Sequence, residues 1–142
     1  MRRLTLLVLG LTVVTTVAFS AATALPSAAA ASSQTCAKAS GTASGNLVLT
    51  KCTGGLGKGS AKATSLATGG TINWTQGSTT FTGTPKATGR GSCPKGSTEY
   101  VFTGKVTADT SGKVKVGSVV SGKACLSKKG TISLLKHTKF TF

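Results

Sequence analysis

Residues 98–108 read "TEYVFTGKVTA", and the spacing of the apolar side chains in this stretch sets the fold class. Tyr100, Phe102, Val106 and Ala108 fall on one side of an extended chain, with Glu99, Thr103, Lys105 and Thr107 on the other. A period of two belongs to a strand that buries one face and wets the other. A helix would repeat every three to four residues. The stretch predicts a half-buried β-strand.

The same pattern extends in both directions. "GNLVLTKC" (45–52), "GKGSAKATSL" (57–66), "GTINWTQ" (70–76) and "STTFTG" (78–83) precede it, and "GKVKVGSVV" (112–120), "GTISLLK" (130–136) and "HTKFTF" (137–142) follow. Thr, Val, Ile and aromatic residues fill these runs, while Gly, Ser, Asn, Asp or Pro separate most of them. No stretch after residue 40 has a helical period. Residues 46–142 are therefore expected to form one all-β domain, a β-sandwich or β-barrel of about eight short antiparallel strands.

Alternation also assigns faces. Val114, Val116 and Val120 are expected inside, opposite Lys113 and Lys115, and Phe140 and Phe142 point together, away from Lys139. A two-residue turn at Gln76–Gly77 would set Ile72 opposite Phe81 and Trp74 opposite Thr79, all on one buried face. The segments "ADTSGK" (108–113) and "SKKGT" (127–131) read as further reversals. Prolines 85 and 94 avoid the predicted strand centres. Residues 32–45 lack a clear pattern and read as a flexible N-terminal lead, tied down only if Cys36 is bridged.

The beginning of the chain predicts export. "MRR" and a long apolar run precede "PSAAAASS", whose Ala28 and Ala30 have the spacing of a signal-peptidase site. Residues 1–31 are expected to be a signal peptide, leaving no transmembrane segment after cleavage. Four cysteines in an exported chain predict two disulfides rather than a metal site, since Cys36, Cys52, Cys93 and Cys125 include no C-x-x-C pair and His137 is the only histidine. Of three possible connectivities, Cys36–Cys52 with Cys93–Cys125 is favoured, because both bonds close short loops.

Charge is the strongest compositional signal. Without Arg2 and Arg3, fifteen basic residues remain against Glu99 and Asp109, a net charge of +13. Fourteen of the fifteen are lysines. Lysine is a hydrated point charge, and only Arg90 supplies the planar fork that reads bases or phosphates bidentately. This balance suits diffuse attraction to polyanions rather than sequence-specific nucleic-acid recognition. It also suits a solubilising surface that blunts sheet edges.

"KCTGGLGKGS" (51–60) has the glycines of a phosphate cradle, but Lys58 is followed by Gly and no helical pattern follows, as a Walker-type loop requires. A turn between two strands is the expected reading. Two acids and one histidine leave little for acid–base or triad chemistry, and no G-x-S-x-G elbow occurs. No catalytic residue, cofactor or metal is expected.

The stretch "SCPKGSTEY" (92–100) resembles the binding loop of secreted substrate-like serine-protease inhibitors of the subtilisin-inhibitor family. That resemblance implies that, in a loop of Cys93, Pro94 and Lys95, Lys95 would enter a protease pocket and Cys93 would stiffen the loop. It spans only a few residues. More broadly, "SGNLVLTKCTGG" (44–55), "GTINW" (70–74) and "EYVFTGKV" (99–106) are similar to small exported actinobacterial proteins of unassigned function, which implies a disulfide-bearing β-rich domain and no particular site residue. The expected function is non-enzymatic association with an anionic polymer or cell-envelope surface, secreted or wall-associated. Lys105, Lys113, Lys115, Lys123, Lys128 and Lys129 are the expected binding residues. The alternative is inhibition of a secreted protease through the Cys93–Lys95 loop.

Overall fold

The computed structural model describes residues 33–142; the expected signal segment and its cleavage positions lie outside the described residues. Nine strands follow in order: β1 (Thr35–Thr42), β2 (Asn46–Cys52), β3 (Gly59–Lys62), β4 (Gly69–Asn73), β5 (Ser78–Ala87), β6 (Ser97–Asp109), β7 (Val119–Ser127), β8 (Thr131–Leu134) and β9 (Phe140–Thr141). A single helical turn, α1 (Ser65–Thr68), joins β3 to β4. From β1 to β8 each strand pairs antiparallel with the next, and β8 and β9 both pair with β7 on one side and β1 on the other. The result is a closed eight-stranded barrel. Its eighth stave is shared by β8 and β9, separated by an excursion over residues 135–139.

Closure removes the sheet edges that an open sheet would expose. It also explains the fate of residues 32–45, expected as a flexible lead. Residues 35–42 instead form a full stave, because Cys36 is bridged to Cys52 across the β1–β2 ladder and the strand is held on its other side by β8 and β9. The second bond, Cys93–Cys125, ties the β5–β6 loop to β7. Both favoured disulfides are present.

The lumen is filled by Phe81, Phe102, Val106, Val120 and Phe140, with Phe81 edge-on to Phe102 at 5.5 Å between ring centres. One end of the barrel is plugged. There Trp74, 7% exposed, stands edge-on to Phe142 at 5.3 Å. Gly59 makes room for the indole, since a Cβ there would collide with the Trp74 ring. The glycine-rich segment 53–58 closes the same end, its positive-φ residues Gly54, Gly55 and Gly57 turning the chain so that Leu56 is driven into the core.

Four expectations change in detail. The β4–β5 turn falls at Thr75–Gln76, so Ile72 faces Thr79 and Phe81 faces Gly70. This is a slip of two residues, which keeps every side chain on its expected face. Ala108 is exposed rather than buried, because a bulge sets Phe81 against Val106 and Thr80 against Ala108, and the extra residue reverses the faces beyond it. Val116 is exposed, since 112–118 is a loop leading into β7 and only Val114 of that segment turns inward. Pro85 sits inside β5, but past the point where β4 pairs with it, so no β4–β5 ladder bond is lost.

The opposite end is not plugged. Positions on β5, β6, β7 and β8 and the segment just after β3, with α1 as a partial lid, enclose a half-open apolar cavity of about 220 Å³. Ala43, Ala63, Ala67 and Ala124 are among its lining residues, and such small side chains cannot fill a lumen of eight strands.

Candidate binding surface

All fourteen lysines of the described residues and Arg90 are exposed. They occupy β1, β2, β3, β5, β6 and β7 and several loops, so basic residues stand on six of the nine strands. The two acids are withdrawn from that surface. Glu99, on the wet face of β6 by alternation, does point outward, but the β5–β6 loop folds over it and leaves it 6% exposed. The Ser92 N–H donates to its Oε2 at 2.9 Å, the Thr88 hydroxyl to its Oε1 at 3.4 Å, and Lys123 Nζ lies 3.9 Å away. A Cβ on Gly91 would collide with the Glu99 carboxylate, so the loop can lie this close only with glycine there.

Asp109 is engaged at the plugged end. The β-bulge turns it toward Thr79, which donates to its Oδ1 at 2.6 Å, while the Trp74 indole N–H donates to the Thr79 hydroxyl at 2.7 Å. Ser111 and the Val114 N–H donate to the same carboxylate. Burial pushes the Asp109 carboxyl up, but the hydrogen bonds from Thr79, Ser111 and the backbone of Val114 and Gly112 outweigh it and hold the group below its ordinary range. The acids therefore serve the fold.

The six expected lysines lie along one strip of wall. Lys105 on β6 and Lys123 on β7 both face outward, with Lys105 opposite Val119 and Lys123 opposite Val101. Lys113 and Lys115 stand in the loop before β7, and Lys128 and Lys129 in the turn after it. From Val119 to Ser127 the strand covers about 26 Å at roughly 3.3 Å per residue. That exceeds the screening length of about 8 Å at physiological salt, so the two ends of the strip act independently on a small ion. A linear polymer can touch both.

Two further lysines join the strip. The excursion between β8 and β9 lies against β7, with Leu135 N–H donating to the Lys123 carbonyl, and it carries Lys136 and Lys139. Its neighbourhood depends on the broken eighth stave, which no local pattern signals. His137 is exposed on this excursion at φ 61°, far along the chain from Asp109 at the plugged end.

Lys95 is exposed in a tight turn, in which the Ser97 N–H donates to the Pro94 carbonyl at 3.0 Å and Gly96 has φ 84°. This is a type II pattern, with Lys95 at the corner. Cys93 is buried against Cys125 and Leu135. A loop that mimics a protease substrate offers extended backbone on either side of the recognised residue, and this turn is closed. No family model matches the chain, and comparison with curated proteins and with solved structures returns no match.

Proposed function

We propose that this protein is a non-enzymatic, secreted or envelope-associated binding protein that holds anionic polymers by its lysine-rich wall. The observation that supports this reading is the division of charge: every Lys and Arg among the described residues is exposed, and both acids are engaged by internal hydrogen bonds. Such a surface attracts linear polyanions through counterion release and has few donors placed to read a sequence. The two disulfides fit an oxidising compartment outside the cytoplasm.

The test is a paired charge reversal. Lys113, Lys115, Lys128 and Lys129 changed to Glu lower the net charge from +13 to +5, as do Lys38, Lys51, Lys62 and Lys86 changed to Glu. Binding to heparin or a teichoic-acid-like polymer is expected to fall at least tenfold further in the first variant, and wild-type affinity to fall steeply with salt. Equal losses would reduce the strip to general basicity, and salt-insensitive binding would overturn the proposal.

A further inference from the structure

The unplugged end of the barrel is built differently from the rest of the core. An eight-stranded barrel has a lumen just wide enough to be filled by side chains or to hold one small ligand. At the Trp74 end it is filled. At the other end the inward positions carry Ala63 just after β3, Tyr100 on β6 and Ala124 on β7, with Leu66 and Ala67 of the α1 turn above them. The resulting apolar space of about 220 Å³ is larger than the roughly 150 Å³ engineered cavity that takes up benzene in another protein.

Three features of this space bear on what occupies it. The Tyr100 side chain, expected in the core, is only half-buried and lines the cavity, and its hydroxyl makes no hydrogen bond among the described residues. The lid is weakly tied: α1 is a single turn without a side-chain cap, and the seam beside it joins β3 to β4 through one ladder pair, Ser60 with Asn73. The rim is cationic. Lys62 ends β3, Lys86 lies near the end of β5, and Lys128 and Lys129 form the β7–β8 turn, all at the end where the cavity opens. No free acid opposes them there, since Glu99 is held by the β5–β6 loop and Asp109 lies at the far end.

We infer that the open end of the barrel is a binding site for a small anionic amphiphile, a medium-chain carboxylate whose apolar tail enters the lumen beneath α1 while its head meets Tyr100 and the lysine rim. The apolar lining provides the affinity and the few polar groups at the mouth set the orientation, as in other small-molecule sites. This site uses the barrel interior for the tail and shares only Lys128 and Lys129 of its rim with the polymer-binding wall.

Octanoate tests it directly, with octylammonium and 1-octanol as charge controls and NMR of the intact protein as the readout. Octanoate is expected to saturate shifts of Ala63, Leu66, Ala124 and Ile132, and to bind at least tenfold more tightly than octylammonium and several-fold more tightly than 1-octanol. Ala67→Trp, at an exposed lid position that lines the cavity, should weaken octanoate at least tenfold while heparin binding is retained. Tyr100→Phe should weaken octanoate several-fold with the Val120 and Phe142 resonances unmoved, which keeps the site testable should the Trp variant misfold. Shifts spread over the lysine wall, or octanoate binding unaffected by both substitutions, would overturn the site. Octylammonium binding as well as octanoate would overturn the anionic assignment.

Discussion

At the residue scale, Trp74 shows how one side chain can join packing to polarity. Its ring fills the plugged end against Phe142, and its N–H starts a relay through the fully buried Thr79 hydroxyl to Asp109. Trp74→Ala is expected to destabilise the barrel by about 3–5 kcal/mol in denaturant titration, as for other buried large-to-small changes. A variant of wild-type stability would show that the indole is not a core group. The end of the relay titrates. The folded pKa of Asp109 lies below its ordinary value near 3.8, so its stabilising contribution is complete above that pH and is lost as pH falls through the folded value. Asp109→Asn should therefore be less stable than the wild type at pH 6, and its stability should change less between pH 6 and pH 2.5. An unchanged acid dependence would remove Asp109 from this role.

At the element scale, the wall is uneven. β6 is bonded along its length to β5 and β7, whereas β3 meets β4 at one pair and leads into an α1 turn with no buried residue. Local opening follows the density of such contacts. Amides of residues 60–73 are expected to exchange at least about 100-fold faster than those at the centre of β6, read by hydrogen-exchange mass spectrometry. Uniform protection would mean that the lid is as firm as the wall. The β5–β6 loop depends instead on its covalent tie. Replacing Cys93 and Cys125 by Ser should cost roughly 3–4 kcal/mol through loop-closure entropy and also free the loop from Glu99. The expected sign is early exchange of residues 88–96 with the β1–β2 ladder still protected.

At the scale of the whole molecule, two staples and one closure hold a small core together. Cys36–Cys52 fixes the stave on which the chain closes, and the C-terminal residues complete it, with Gln34 and Phe142 exchanging backbone hydrogen bonds of 3.2 and 2.8 Å. Intact mass of the native protein is expected to be lower by four hydrogen atoms than the reduced chain, matching two disulfides. Four alkylatable thiols in native material would remove both staples from the account. The charge on this closed surface is spread around the wall and is thickest beside β7, where the broken eighth stave adds Lys136 and Lys139 to the strip.

The sequence by itself determined the all-β class, most of the strands from β2 onward, the burial of Ile72, Trp74 and Phe81 on one face, and the basic surface. These depend on local alternation and composition, which act within a few residues. The preference for Cys36–Cys52 with Cys93–Cys125 also followed from chain spacing. Only the tertiary structure decided that the sheet is a barrel, because closure rests on β8 and β9 pairing with β1 across about ninety or more residues of chain. "TCAKASGT" becomes a strand for the same reason: its small, polar residues carry no strict alternation, and their partners lie elsewhere. A register bulge placed Asp109 against Thr79, a loop buried Glu99, and alanines distant in sequence converged to leave a space beneath α1. Each of these is a contact between segments far apart in the chain, to which a local period is blind.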